Sequence, residues 1–359
     1  MKIKLLPNFE NYYGFVNGLT PSNFYRIRNG CSFPIAIYQI IKDNNLDWSI
    51  LLPNLSKAAH LGTIIHRLFE ERVKGEIQNE EEYEIKWEHY VEQEEAKIKQ
   101  NYPSISGVSF SDYDKLYESC DSTMKIEPLS TVDRSQTSSE NRRTLEANVS
   151  YEGYIYGTID RLIFHDNSIE IIDYKSGEIF DEKGNIKDSI SYQLNLYAIC
   201  CEYQFNIPVK KLTIIRTSDL TEIEIPIQRD NFELYLNNIK NIIDKINYAI
   251  ANKSIEALQT PNADLCGFCN CRHICNNYLR SALRSDNIVD GIVTDCSNKN
   301  YLELIDSTGN KFVVNKLGEL NIEDWDSLFN KHLIFINVSS RIEDVYKRTN
   351  RTLIYQIKK

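Results

Sequence analysis

The chain has 359 residues, of which 42% are hydrophobic and 26% charged, enough apolar material for one or two packed domains. Only 14 glycines and 9 prolines occur, and this composition excludes a largely disordered chain. The formal net charge of −10 argues against a surface that coats duplex DNA non-specifically.

The chain shows no apolar run as long as the roughly 18 residues of a membrane-spanning helix. Its first residues lack the apolar stretch and the small-residue cleavage site of a secretion signal. We therefore expect a cytoplasmic protein without a membrane partner. Structural disulfides are rare in that compartment, so the nine cysteines need another explanation.

The first third of the chain is predicted to be mainly helical. One helical segment begins near Thr20 and runs through residues 20–45, and apolar spacing predicts another over residues 57–76. The acidic stretch that follows predicts a solvated helix to about residue 100. The segment of about 77–125 is interpreted as a helical insert, and the Ser/Thr-rich residues 126–141 as a loop.

The pattern then changes to strands rich in Ile, Tyr, Val and Thr. Two of these strands flank a turn at residues 165–168. Helices at residues 187–204 and 230–253 enclose two further strands, and a cysteine-rich segment follows them.

The last part of the chain, from about residue 286, has the order β-β-β-α-β-β. That is the order of an OB-fold, and another small β-barrel or an all-β appendage is the alternative. We therefore divide the chain into residues 1–284 and an OB-fold-like β domain at residues 285–359.

Two charged residues interrupt the apolar strand "IEIIDYKSG". If the preceding strand folds back so that His165 faces Ser168, Asp160 faces Asp173, and Lys175 shares their face of the sheet. Opposed carboxylates repel each other unless a positive charge lies between them, and oxygen ligands suit Mg²⁺ or Mn²⁺. A surface salt-bridge trio is the alternative, and a one-residue bulge would break this register.

The surrounding residues resemble the PD-(D/E)xK nuclease superfamily, in particular its RecB-like branch. That pattern has a Gly-x-x-Asp strand, an Asp-x-Lys strand, a helix with Gln-x-x-x-Tyr, and an upstream helical His that follows a Gly. The matching residues are Gly157 and Asp160, Asp173 and Lys175, Gln193 and Tyr197, and Gly62 and His66. Glu146 matches an acidic position before the first Asp, and the scattered motifs cover about residues 20–278.

The resemblance implies an α/β fold with a restriction-endonuclease-like core, a mixed sheet flanked by helices. The helical N-terminal part and the small C-terminal β-barrel predicted above would be attached to this core. The resemblance also implies metal ligation by His66, Asp160, Asp173 and the main-chain carbonyl of Tyr174. Lys175 would orient the attacking water and stabilise charge on the phosphate. Gln193 and Tyr197 would position Lys175 or the nucleic-acid backbone, and Glu146 would be a further catalytic acid.

Two of these residues also have a purely structural interpretation. His66 lies at the margin of an apolar helix face, where a lone histidine is usually structural. Glu146 fits equally an ordinary acid on a strand.

The cysteine-rich segment "DLCGFCNCRHICNNY" has the spacing Cys-x2-Cys-x5-Cys, which leaves a tetrahedral site one ligand short. Cys271 is close in sequence to its neighbours, and Cys31 is the upstream candidate. The arrangement resembles that of iron–sulfur nucleases such as AddB and the CRISPR-adaptation nucleases, with one cysteine before the nuclease core and three after it. The resemblance implies a [4Fe–4S] cluster on Cys31, Cys266, Cys269 and Cys275, with Zn²⁺ as the alternative.

Such a cluster would act as a staple, because it would join residue 31 to residue 275 across the whole nuclease core.

We expect a metal-dependent DNA nuclease that acts on ends or single strands, as an exonuclease, in DNA repair, recombination or antiviral defence. The sequence contains no G-x-x-x-x-G-K-[ST] motif, so a helicase partner would be another chain. The alternatives are a non-catalytic nucleic-acid-binding or scaffold subunit of a helicase–nuclease complex, and a zinc-knuckle nucleic-acid protein.

The C-terminal domain would grip single-stranded nucleic acid by stacking or dock a partner protein. The stacking candidates, which are otherwise core residues, are Tyr301, Phe312, Phe335 and Tyr355.

Overall fold

The computed structural model describes residues 3–28, 30–126, 128, 143–318 and 325–357. Apart from residues 126 and 128, the predicted loop at 126–141 lies outside the described residues. So do residues 321–324, the start of the short helix predicted in the C-terminal part.

The helices of the described chain precede and surround two sheets. They are α1 (Pro21–Arg28), α2 (Phe33–Asp43), α3 (Lys57–Val73), α4 (Glu80–Asn101), α5 (Tyr113–Met124), α6 (Asp188–Phe205), α7 (Phe232–Ala251), α8 (Ala263–Cys266) and α9 (Asn276–Leu279).

The strands divide between the two sheets. They are β1 (Lys4–Leu6), β2 (Arg143–Tyr151), β3 (Ile155–His165), β4 (Ser168–Lys175), β5 (Val209–Arg216), β6 (Glu222–Ile225), β7 (Ile288–Asp295), β8 (Tyr301–Ile305), β9 (Lys311–Asn315), β10 (His332–Ile336), β11 (Ser339–Ile342), β12 (Val345–Lys347) and β13 (Leu353–Ile357).

The helical segment predicted over residues 20–45 is two helices, α1 and α2, with a break around Cys31. Pro34 lies in the first turn of α2, where its missing N–H needs no partner. A continuous helix would require that N–H, so the chain turns before Pro34. The break brings Cys31 to the surface of the helical layer, where it is partly exposed.

The first sheet has five strands in the order β2-β3-β4-β5-β6, with β4 and β5 parallel and the other pairs antiparallel. The parallel pair requires a crossover, which α6 provides. Ile169 and Ile171 of β4 belong to the main core together with residues of α6, whereas Ile172 packs with Phe69 of α3 on the other face. This mixed sheet between helices confirms the predicted α/β core.

Helices α3, α4 and α5 form a layer with a core of its own, which includes Leu68, Trp87 and Leu116. Each helix has a side-chain cap: Ser56 accepts a hydrogen bond from the N–H of Ala59, and Asn79 and Asp112 act in the same way on α4 and α5. The acidic face of α4 is solvated, as the sequence predicts.

The second sheet has eight strands in the order β1-β13-β10-β7-β8-β9-β12-β11. It therefore includes one strand from the first residues of the chain, β1, which pairs in parallel with β13. The described strands form an open order with two edges, and the predicted closed OB-like barrel is not confirmed.

The predicted stacking aromatics of this region are mostly core residues. Phe312, Phe335 and Tyr355 are buried, and Tyr301 is partly buried. Tyr355 packs against His273 with ring centroids 4.4 Å apart and belongs to the main core, so the two sheets share packed residues. The rings of Phe312, Phe335 and Tyr355 are therefore not free to stack on bases.

Within the described residues no helix is long and apolar enough to cross a membrane.

Candidate metal-dependent active site

The hairpin of β3 and β4 brings the predicted charged residues to one end of the first sheet. His165 pairs with Ser168 and Arg161 with Ile172, as the predicted register requires. Beyond Arg161 the ladder changes: Asp160 Oδ2 accepts a hydrogen bond of 2.7 Å from the N–H of Tyr174. A carboxylate gains more from an N–H donor than from an opposed carboxylate, which explains the departure from the predicted Asp160–Asp173 pair.

Asp173 is buried, with 3% of its surface exposed. Lys175 Nζ lies 2.7 Å from Asp173 Oδ2. Burial raises the pKa of Asp173 to about 6, while Lys175 opposes the shift and the negative charge of Asp160 reinforces it. An additional cation beside these two carboxylates would relieve that penalty.

Lys175 is held from a second side by α6. Its Nζ donates to Gln193 Oε1 at 3.0 Å, and Gln193 Nε2 lies 3.5 Å from Tyr197 Oη. The spacing of four residues places Gln193 and Tyr197 on one face of the helix. A Cβ on Gly157 would lie only 2.8 Å from Tyr197 Cε1, so glycine leaves the space that this ring occupies.

The main-chain carbonyl of Tyr174 is one of the predicted metal ligands. The N–H of Tyr174 is taken by Asp160, and its ring packs against Phe69 at a centroid distance of 4.5 Å. The side chain therefore anchors β4 to α3 and leaves the main chain at the edge of the site.

His66 reaches the site from α3. Its Nε2 lies 3.0 Å from Asp160 Oδ2, and its Nδ1 lies 3.4 Å from Glu70 Oε1. Burial lowers the pKa of His66, but the hydrogen bond to Asp160 and the charges of Asp160 and Glu70 outweigh burial and hold it above its ordinary value. The imidazole is therefore surrounded by carboxylates, which is the environment of a metal-ligating histidine as well as of a structural one.

Glu70 is a further candidate metal ligand that the sequence motifs did not predict. His66, Glu70 and Asp160 each offer a ligand atom within 4.8 Å of the others. Burial raises the pKa of Glu70 to about 7, against the opposing effect of His66. The signal was present in the sequence, because residues four apart on a helix share a face, and Glu70 follows His66 by four.

Glu146 lies at the periphery of this group. It forms an ion pair with Lys74, its side chain is half exposed, and it is absent from the close group of three. The pairing of β2 with β3 passes from Leu145–Arg161 to Ala147, and Glu146 has φ 49°, a left-handed conformation that costs a non-glycine residue free energy. This local distortion points Glu146 toward Lys74 and Glu70.

The donor set fits a hard divalent cation. One imidazole and two carboxylates converge, a third carboxylate is buried next to them, and such nitrogen and oxygen ligands suit Mg²⁺ or Mn²⁺. His66, Glu70 and Asp160 would hold the ion, with Asp173 and the Tyr174 carbonyl adjacent. Lys175, whose Nζ lies 2.7 Å from Asp173 Oδ2, adds an ammonium group beside this donor set.

The cysteines of the iron–sulfur prediction come together in a second place. One cavity is lined by Cys31, Cys266, Cys269 and Cys275, together with Arg26 and Arg272. Backbone N–H groups face two of these sulfurs: Thr260 N lies 3.5 Å from Cys31 Sγ, and Asn262 N lies 3.2 Å from Cys266 Sγ.

One thiol of this cavity is already activated. A hydrogen bond from Cys271, helped by Arg26 and Arg272 and opposed by burial, lowers the pKa of Cys269 to about 6. Thiolates are the ligand form for zinc and iron alike. Cys271 is fully buried and acts on Cys269 without lining the cavity.

Comparison with known proteins identifies the class. The profile of the PD-(D/E)XK nuclease superfamily matches residues 40–276, and the chain belongs to this superfamily. Membership confirms the predicted superfamily and indicates a metal-dependent nuclease. The RecB-like branch, the roles of the single residues and the iron–sulfur cluster stay predictions.

Two further comparisons add little. A search of the curated proteins finds no match. A solved structure, described as the crystal structure of SSO0001, is 15% identical to this chain, covers 75% of this chain and 92% of its own, and superposes with a TM-score of 0.29.

Proposed function

We propose that the protein is a Mg²⁺- or Mn²⁺-dependent deoxyribonuclease. The observation that carries this proposal is the convergence of His66, Glu70 and Asp160 beside the ion pair of the buried Asp173 with Lys175, in a chain of this superfamily. A phosphodiester is anionic and repels hydroxide, so positive charge is needed where it reacts.

A bound divalent ion would neutralise the phosphate and lower the pKa of a coordinated water. The protein's own contribution is positional. Asp173 and Gln193 hold the ammonium of Lys175 between them, so that it donates to a phosphate oxygen or orients the attacking water. Tyr197 supports Gln193 from the next turn of α6. Glu146 keeps Lys74 near Glu70 and influences the charge of the site from its edge.

The substrate is proposed to be DNA with free ends or single-stranded regions, and the mode of cleavage exonucleolytic. A helicase partner would supply single strands, and the C-terminal β domain is its proposed docking site or a grip on nucleic acid. The strand pairing supports an OB-like topology: β7, β8 and β9 form a meander, β10 pairs with β7, and β12 pairs in parallel with β9.

The cysteine-lined cavity is proposed to hold a [4Fe–4S] cluster. Four thiolates suit either a cluster or a zinc ion, and the resemblance to the iron–sulfur nucleases favours the cluster. The two arginines beside it favour an anionic centre.

The test uses labelled single-stranded and duplex DNA with Mg²⁺ or Mn²⁺, the wild type and Lys175→Ala. We expect cleavage by the wild type and a loss of at least about 100-fold in the variant, because a positioned general acid–base or charge-stabilising group contributes about that much. Lys245→Ala, an exposed lysine of α7, is the control. Undiminished cleavage by Lys175→Ala would contradict the mechanism, and no cleavage by the wild type would favour a binding subunit.

A further inference from the structure

A cavity of about 440 Å³ is lined by helix α3, helix α5 and the residues that follow β4. Helix α3 forms one wall with Ala58, Leu61 and Ile65, and helix α5 forms the opposite wall with Lys115 and Ser119. We call it the α3–α5 pocket. The proposed function gives this pocket no role, although α5, which forms one wall, belongs to the predicted helical insert.

The α3–α5 pocket is continuous with the catalytic residues through the main chain. Ile65 precedes His66, and Ser176, which lines the pocket, follows Lys175. Ser176 Oγ donates to the carbonyl of Gly62 at 3.4 Å, and the N–H of Thr217 donates to the carbonyl of Lys175 at 3.0 Å. Two residues that line the pocket are therefore the sequence neighbours of His66 and Lys175.

The charged side chains that line the pocket form ion pairs with one another. Lys57 Nζ lies 3.0 Å from Asp112 Oδ2, and Lys115 pairs with Glu118. A rim of paired charges gives little attraction for a phosphate, whose place is at the metal ligands and Lys175. The α3 wall is largely aliphatic, and hydroxyl groups of Ser176, Thr217 and Ser218 stand at the edge. A nucleobase has apolar ring faces and a polar edge, so it matches this lining.

We propose that the α3–α5 pocket receives the base of the nucleotide next to the scissile phosphate. This inference rests on the proposed nuclease function and adds a substrate preference to it. A base in a duplex is stacked and paired, so it enters a side pocket only after unstacking, which costs least in a single strand. Helices α3 and α5 would thereby select unpaired DNA at the step of binding.

The two neighbouring alanines of α3 provide a matched test. Ala58 and Ala59 are both exposed in the first turn of the helix, but only Ala58 lines the pocket. Ala58→Trp fills the pocket with an indole, and Ala59→Trp adds the same side chain outside it. Binding of a fluorescein-labelled oligothymidylate is measured by anisotropy in Ca²⁺, with strand integrity checked on a gel. An equally long strand whose internal bases are removed is the second probe.

We expect the wild type and Ala59→Trp to bind the intact strand about 10-fold more tightly than the abasic strand, since one stacked base contributes about 1–3 kcal/mol. Ala58→Trp should lose about 10-fold on the intact strand and no longer distinguish the two strands. Equal binding by both tryptophan variants, equal binding of both strands by the wild type, or no binding at all would overturn the pocket assignment. Cleavage by the wild type decides the nuclease proposal separately, so each idea can fail while the other stands.

Discussion

Lys175 illustrates how neighbouring residues fix the position of a side chain that is proposed to be catalytic. Alone it is a lysine at the end of a strand, but Asp173 Oδ2 lies 2.7 Å and Gln193 Oε1 3.0 Å from its Nζ. Two acceptors from different elements restrict the long side chain to one position, so little rotamer freedom remains to be lost when a phosphate binds.

A first prediction at this scale concerns Glu70. Its carboxylate lies in the close group with His66 and Asp160, so Glu70→Gln should weaken Mn²⁺ binding by about 10-fold or more, the range typical of residues that act on a metal site. Isothermal titration with Mn²⁺ measures the change. Glu146→Gln is the matched control, because Glu146 is half exposed and paired with Lys74, and its effect should be smaller. A larger loss with Glu146→Gln would reverse the assignment of the two acids.

A second prediction concerns the contact between Gly157 and Tyr197. Gly157→Ala places a Cβ 2.8 Å from Tyr197 Cε1, so the ring must move, and Gln193 with it. Overpacking of this kind should lower the free energy of unfolding by about 1–3 kcal/mol, and nuclease activity should fall as well. Urea denaturation gives the first quantity. In a Tyr197→Ala background the same substitution should cost almost nothing, and an unchanged cost there would mean that the ring is not the cause.

At the scale of elements, the position of each helix decides what the sheet can do. Helix α3 covers one face of β4 through Phe69 and at the same time carries His66 to the edge of that strand. Helix α6 covers the other face and carries Gln193. The site is therefore a junction of two helices with the hairpin of β3 and β4, and each helix is positioned by apolar packing away from the charged residues.

A third prediction belongs to the second sheet. A Cβ on Gly291 would lie 2.7 Å from the carbonyl oxygen of Ile305 on the neighbouring strand. Because that atom is backbone, Gly291→Ala should force β7 and β8 apart and lower the melting temperature, with a cost of about 1–3 kcal/mol. Gly177→Ala, whose Cβ would meet no atom within 4 Å, is the control and should be close to neutral. Equal melting temperatures for the two variants would exclude the close approach.

At the scale of the whole molecule, the cysteine-lined cavity joins distant parts of the chain. Cys31 lies between α1 and α2, whereas Cys266, Cys269 and Cys275 follow α7. A cluster there would close a loop around the first sheet, and crosslinks over long loops restrict the unfolded chain most.

The fourth prediction tests this crosslink. Anaerobically purified protein should be brown and contain iron and acid-labile sulfide in equal amounts, and Cys31→Ser should lose both and melt at a lower temperature. Cys120→Ser, at a buried cysteine of α5 away from the cavity, should keep the colour. Stoichiometric zinc without iron would contradict the cluster, and full colour in Cys31→Ser would remove Cys31 from it.

Local pattern alone was enough for much of the site. The hairpin register followed from alternation and turn position, and it holds from His165–Ser168 to Arg161–Ile172. The superfamily was predicted from the resemblance of several motifs in their order along the chain, and the match over residues 40–276 confirms it.

Other features depended on contacts that no local pattern contains. The bond from Tyr174 N–H to Asp160 and the approach of Glu70 to that carboxylate arise where α3 packs on the sheet. The break between α1 and α2, and the joining of β1 to the C-terminal sheet, were also missed.

The amino-acid sequence by itself determined the hairpin register and which charged residues it brings together, because period-two alternation and the turn are local properties of the chain. It also carried the motifs by which the chain resembles its superfamily. Only the tertiary structure decided which carboxylates surround His66, which face of α3 lines a pocket, and how the C-terminal strands are ordered. These depend on the packing of segments far apart in sequence, and the free energy of that packing is spread over many apolar contacts.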